Sequence, residues 1–192
     1  MRSFLIGCGL VVLIAASAVA QTVHRGTVFP GERRVVTDAQ TGAELVFLTT
    51  GDSTDTNLYF HDRSWLSDGS VILFNSNRDQ GGLMGYLAET GELVSFTTAD
   101  GALGGATAAL TGPRFFAIRG NRILEVTLAI AASANPAEQP SDVRVTERVI
   151  CELPAVATNT ALNESCDGTR LSVGVRGAAT EDKPAILVIE VA

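Results

Sequence analysis

The sequence predicts an all-β fold assembled from repeated units of short antiparallel strands. Three observations predict it: Gly, Asp and Thr turns punctuate apolar runs of strand length, one strand-turn-strand element recurs along the chain, and helical periodicity is scarce. The fullest copy of the element spans residues 57–78, two strands around the turn Ser67-Asp68-Gly69. The turn is echoed at Thr111-Gly112-Pro113 and at Cys166-Asp167-Gly168. Each turn is followed by an apolar strand: Val71-Ile72-Leu73-Phe74, Phe115-Phe116-Ala117-Ile118 and Leu171-Ser172-Val173-Gly174-Val175. Repeats of about 40 to 50 residues, each holding four short strands, are the signature of β-propeller blades. The expected architecture is therefore a β-propeller fragment of about three four-stranded antiparallel blades plus a partial one.

The chain opens on Met1-Arg2-Ser3, an apolar run over residues 4–19, and Ala18-Val19-Ala20 before Gln21. A basic start, a hydrophobic core and a small-x-small end form a secretory signal peptide, with cleavage expected after Ala20 and export to the periplasm or the medium. The apolar run is shorter than the span of about 20 residues that a membrane anchor needs. A lipoprotein reading of Leu5-Ile6-Gly7-Cys8 would leave almost no hydrophobic region before the cysteine, so no membrane attachment is expected after cleavage.

Residues 21–34, with Gly26, Pro30 and Gly31, form an extended or poorly ordered lead-in, and His24 within it is expected to be a solvated terminal side chain. Residues 35–50 supply the two outer strands of one blade around Thr41-Gly42, a pair that tolerates positive φ in a tight hairpin. Residues 51–98 form a whole blade, with residues 58–66 as inner strand and Thr90-Gly91 repeating the hairpin turn. Residues 99–154 form the next blade. Its second turn is lengthened by the Ala- and Pro-containing insertion 131–141, and the apolar stretch 128–134 is a strand end running into that loop. Residues 155–192 form an incomplete blade whose last apolar strand, residues 185–192, has no fourth strand after it and presents an open edge. The layout is that of the N-terminal part of a longer propeller, or of an open fragment that closes a ring by self-assembly.

Composition narrows the partners. The formal charge of −7 and the absence of lysine-arginine clusters argue against nucleic acid and anionic membranes. Cys8 falls in the signal peptide, leaving Cys151 and Cys166, an even number in an oxidising compartment. They either form a disulfide or remain two thiols.

The strings Asp38-Ala39-Gln40-Thr41-Gly42, Leu58-Tyr59-Phe60-His61, Ser67-Asp68-Gly69 and Ala88-Glu89-Thr90-Gly91-Glu92 resemble the N-terminal blades of the oligogalacturonate lyase family. The resemblance is best over residues 35–98. It implies a seven-bladed propeller that shortens pectin-derived oligogalacturonides by β-elimination, with a histidine base and a manganese-type divalent ion held by histidines and a glutamine of later blades. The Asp-Gly and Thr-Gly-Glu turns also resemble those of TolB-like periplasmic propellers, which implies a non-catalytic protein-binding alternative.

β-Elimination from a uronate needs a base for the proton next to the carboxylate and a cation to stabilise the charge that develops there. The chain after the signal peptide offers only His24 and His61, too few to assemble the family's metal cluster, so no catalytic or metal-ligating residue is assigned. An oligogalacturonide or another anionic oligosaccharide could meet a rim of substrate contacts. Tyr59, His61 and Arg63 alternate along the expected inner strand, and Arg78, Arg119 and Arg176 each end the second strand of a repeat. The planar guanidinium suits carboxylates, although pairing of each arginine with a blade-turn aspartate is the simpler reading. Trp65 is assigned to packing between blades, and His61 to pairing with a neighbouring carboxylate. No Gly-x-Ser-x-Gly elbow, phosphate loop or paired metal-ligand motif is present.

Overall fold

A computed structural model describes residues 21–191 apart from 155 and 159. The signal peptide expected over residues 1–20 lies outside the described residues.

The strands in chain order are β1 (Gln21–Arg25), β2 (Thr27–Phe29), β3 (Arg34–Thr37), β4 (Glu44–Phe47), β5 (Asp55–Asn57), β6 (Val71–Ser76), β7 (Gly82–Leu87) and β8 (Leu93–Ser95). They continue as β9 (Gly104–Ala108), β10 (Arg114–Arg119), β11 (Arg122–Ala131), β12 (Asp142–Glu152), β13 (Ala157–Thr158), β14 (Asn163–Glu164), β15 (Arg170–Arg176) and β16 (Ala185–Glu190). All ladders are antiparallel. The first sheet runs β2-β8-β7-β6-β5, the second β1-β12-β11-β10-β9. In the third, β13 and β14 follow one another along one edge of β15 and β16 pairs with the other, so that sheet is three strands wide. β3 and β4 form a separate hairpin.

Side-chain alternation stacks these sheets face to face. Phe115 joins Leu73, Leu83, Phe96, Leu124 and Val145 in the core between the first and second sheets. Its neighbour Phe116 points the other way and joins Ile118, Leu162, Leu171 and Val173 between the second and third sheets. A smaller core of Phe74, Met84, Tyr86 and Leu93 lies on the outer face of the first sheet, with Phe29 and Leu48 against it. This is the repeated-blade arrangement of a propeller, and the chain is all-β as its turn pattern predicts; the described residues contain no α-helix, only the 3₁₀ turn Ala178–Thr180.

The turns explain the repeat. In Cys166-Asp167-Gly168, Gly168 has φ of 70°, a conformation that a side chain disfavours. Asp167 accepts hydrogen bonds from the Ser165 and Thr169 hydroxyls and from the Thr169 backbone N–H, which together hold its carboxyl at about 2.

The lead-in is extended but not loose. β1 adds a fifth strand to the second sheet and β2 a fifth strand to the first, so residues 21–29 strap the two together. The crossover occurs at Gly26, where a Cβ would stand 2.5 Å from Val94 Cγ2 and 3.3 Å from the Ser95 carbonyl. His24 is correspondingly not a solvated terminal group: its Nε2–H donates to Glu147 Oε1 at 2.9 Å.

Of the two readings left open for the cysteines, the structure has the second: Cys151 and Cys166 are free thiols. Cys151 closes β12 at the end where Arg119 and Arg122 turn back on each other, whereas Cys166 sits in the turn before β15 at the opposite end of the stack. Burial also pushes the Cys151 thiol up from its ordinary range. One expectation is corrected here: residues 58–66 do not form one continuous inner strand. Pairing with β6 runs from Asp55 to Asn57, breaks, and resumes at the Trp65–Ile72 bridge.

Candidate functional site

The break in that strand builds the site. Asn57 stands opposite Phe74 and Trp65 opposite Ile72, so residues 58–64 face the single residue Leu73 and must leave the ladder. The excursion folds as a turn closed by the Asp62 N–H donating to the Tyr59 carbonyl at 2.7 Å. A strand would send consecutive rings to opposite faces, whereas the turn gathers them. The Tyr59 and Phe60 centroids lie 4.3 Å apart, and those of Phe60 and His61 lie 4.0 Å apart. Tyr59 is 61% and Phe60 72% exposed.

The third sheet carries a second excursion. Thr158 pairs with Val175 and Asn163 with Ser172, and Thr160, Ala161 and Leu162 lie between these pairs opposite only Val173 and Gly174. The two excursions face each other across a cavity of about 580 Å³ lined by Tyr59, His61, Asp62, Thr160, Asn163 and Ser172 among others. Burial raises the Asp62 carboxyl above its ordinary value, and the neighbouring His61 pulls it partly back. Of the expected substrate contacts, the fold thus brings Tyr59 and His61 to one site. It adds Asp62, Thr160, Asn163 and Ser172, which the sequence did not single out. The legible signal was the excess of residues between inner-strand ends.

The arginines are engaged elsewhere. Arg63 donates from Nε to the Ala108 carbonyl and from Nη2 to Glu164 Oε2, both at 2.8 Å, so it clamps the inner strands of three sheets together. Glu164 Oε2 also accepts the Leu110 N–H, while its buried Oε1 has no partner among the described residues. Arg78 is bound by Asp55 and by both carboxylate oxygens of Glu32, at 2.9 Å each. Arg119 is buried, with Nη2 donating to Glu147 Oε1 at 2.9 Å and Nε to the Gly101 carbonyl at 3.0 Å. The partners of Arg78 and Arg119 are strand and lead-in carboxylates, not the blade-turn aspartates. Burial works to raise the Glu147 carboxyl, but hydrogen bonds from Arg119 and His24 outweigh it and hold the group below its ordinary value. Arg176 is exposed at the end of β15 and makes no ion pair among the described residues. A rim of free arginines is therefore replaced by internal clamps, with Arg176 alone of the four left open.

Trp65 is not buried in a core between blades. It is 58% exposed and lines a groove of about 750 Å³ with Phe47, Ile72 and Phe74, between the hairpin and the first sheet.

The donor set does not fit a manganese-type ion. Among the described residues no three His, Cys, Asp or Glu side chains converge, and His24 is committed to Glu147, remote in the sheet order from the His61 turn.

No protein-family model matches the chain, and no curated protein matches it in sequence. Solved structures match in fold. The oligogalacturonate lyase from Vibrio parahaemolyticus superposes with a TM-score of 0.61 at 17% identity, over 88% of this chain and 46% of that one. An oligogalacturonate lyase in complex with manganese gives 0.60 at 16% identity, over 86% of this chain and 49% of that one. The chain thus spans about half the length of the propellers whose fold it shares.

Proposed function

We propose that this chain is an exported propeller-type protein that binds an oligosaccharide of the pectin class in the cavity between its two inner-strand excursions, and that it does not itself perform elimination. The observation that carries the reading is the ring cluster of Tyr59, Phe60 and His61 at a cavity lined by Asp62, Thr160, Asn163 and Ser172. Aromatic faces pack on the apolar faces of sugar rings, while hydroxyl, amide and carboxylate groups meet their hydroxyls. His61 is the group in the cavity suited to a uronate carboxylate, since Arg63, Arg78 and Arg119 already hold protein carboxylates. The fold shared with oligogalacturonate lyases supports the substrate class. Elimination is not assigned because, among the described residues, no base paired with a charge-stabilising cation converges on one substrate position.

Calorimetric titration of residues 21–192 with trigalacturonate and with a neutral trisaccharide tests the proposal. Trigalacturonate is expected to bind, with Tyr59→Ala and His61→Ala each weakening it about tenfold, a loss of about 1.4 kcal/mol. Absence of binding, or binding indifferent to both substitutions, overturns the assignment. An ultraviolet assay for unsaturated product is expected to stay flat, and manganese-dependent turnover would refute the non-catalytic part. Export is checked separately by N-terminal sequencing of the secreted protein, expected to begin at Gln21.

A further inference from the structure

The hairpin of β11 and β12 outreaches the equivalent hairpin of β7 and β8 beside it. β7 pairs with β8 from Met84 to Tyr86, whereas β11 pairs with β12 from Arg122 to Ala131. The extra length, residues 128–142, is an arm that overhangs the turns of the first sheet. The arm is anchored. The buried Glu92 carboxylate accepts the Ser141 N–H and hydroxyl, and the Ser133 N–H donates to that hydroxyl at 3.0 Å.

One edge of the arm has no described strand beside it. β10 pairs with β11 as far as Arg114 opposite Thr127, and the Leu128 N–H then donates to the Pro113 carbonyl at 2.9 Å. Pro113 has no N–H to return the bond to the Leu128 carbonyl, and the Arg114 N–H donates to the Gly112 carbonyl, so the ladder stops there. Alternation carries the consequence forward: the backbone polar groups of Ile130 face the same side as those of Leu128, past the end of β10. Val143, directly opposite Ile130, agrees, since its carbonyl turns away from β11 to accept the Gly26 N–H. The Leu128 carbonyl and the Ile130 N–H and carbonyl are therefore open among the described residues.

This edge borders a groove of about 590 Å³ between the arm and the first sheet, with Leu87, Pro113, Leu128 and Ile130 as apolar lining and Asp68 and Glu89 on the opposing turns. No described cation lines it. Glu89 is exposed and has no ion pair among the described residues, and Asp68 spends only Oδ1 on its own turn, accepting the Ser70 N–H and hydroxyl. Arg114, next to Pro113, is committed to Thr111 and Glu125, and Arg33, whose stem passes Gly91, lies outside the lining. We propose that the groove docks an extended basic segment of a partner polypeptide, which pairs with the open edge of β11 and continues the line of β10. The residue that exchanges hydrogen bonds with Ile130 directs its side chain to the same face as Ile130, toward the turns of the first sheet, so lysine or arginine there and two residues along meets Asp68 and Glu89. Charge complementarity selects this occupant, and the formal charge of −7 favours its approach.

The test uses a fluorescein-labelled eight-residue peptide alternating lysine and threonine, titrated into residues 21–192 and followed by anisotropy. Its control is the same peptide N-methylated at the lysine amides, which keeps the charge and loses the backbone donors. The unmodified peptide is expected to bind about tenfold more tightly than the control, and Glu89→Lys to weaken it about tenfold or more. Ile130→Pro removes an N–H that β12 does not use and is expected to erase the difference between the two peptides. Hydrogen exchange is expected to slow at the Ile130 amide when the peptide is added. Glu89 is exposed on a turn, so Glu89→Lys is expected to fold, and an unchanged circular dichroism spectrum with unchanged affinity overturns the proposal. Equal affinity of the native chain for both peptides reduces binding to general charge attraction and overturns it, as does protection elsewhere than residues 128–132. A peptide-free chain that light scattering finds dimeric, with its Ile130 amide already protected, assigns the edge to a second copy and refutes the partner.

Discussion

The interface between the first and second sheets and that between the second and third use the same turns and the same alternation, yet one is closed and the other is not. Between the first two sheets, strands of equal number oppose each other, and the lead-in straps their outer edges with β1 and β2. Polar groups along that seam are matched: Arg119 meets Glu147, and the buried Glu92 carboxylate accepts hydrogen bonds from the Ser141 hydroxyl and N–H. The third sheet is narrower, so apolar residues pack only near the inner strands and the outer face of the second sheet stays exposed and basic. The comparison teaches that what decides burial here is the number of strands opposing one another, more than the apolar content of any one strand. β16 is as apolar as β10 but shows an alternating half-exposed pattern, whereas β10 is buried almost throughout.

Breaking the closed seam is expected to have the largest effect. Phe115→Ala removes a fully buried ring that packs against Phe96 at 5.2 Å between centroids, and is expected to cost about 3 to 5 kcal/mol in urea denaturation. The matched change at the open seam, Leu187→Ala, removes a half-buried side chain and is expected to cost less, about 1 kcal/mol. Equal effects would dissolve the distinction between the two interfaces.

Removing one member of the clamp comes next. Arg119→Leu leaves Glu147 buried beside only His24 and is expected to cost about 3 kcal/mol. Acidity sharpens the point. The folded Glu147 carboxyl lies below its ordinary 4.5, so its contribution is fully present above that pH and is lost as pH falls through the folded value. Glu147→Gln should therefore flatten the acid limb of the stability curve, and a difference from wild type that does not shrink below pH 4.5 would contradict the clamp.

The smallest expected effect lies in the cavity. The folded Asp62 carboxyl is raised above 3.8 by burial, so the folded state keeps its proton to higher pH than the unfolded chain. Stability supplied by the protonated form is present below 3.8 and declines as pH rises through the folded value. Asp62→Asn is expected to melt slightly higher than wild type at neutral pH and to match it at pH 3, measured by scanning calorimetry.

Turn chemistry and alternation were enough to read the all-β class, the repeat and the apolar strands β6, β10 and β15 after its turns, because these depend on neighbours close in sequence. The candidate site was half legible. Tyr59 and His61 stood out as rare residue types, but their placement on a strand was wrong, because bulging is set by the register that β6 imposes on both sides of them. The lead-in escaped the reading for a related reason: its strands pair with β12 and β8, far along the chain, and nothing local marks such an edge.

By itself, then, the sequence determined the all-β class and the repeated turns: which residues turn and which apolar runs alternate, governed by local φ preference and a period of two. Only the tertiary structure decided which charges are spent on one another, how the lead-in straps two sheets and which two excursions meet. Those outcomes follow from contacts between residues as distant as His24 and Glu147 or Arg63 and Glu164, whose approach depends on how the sheets stack.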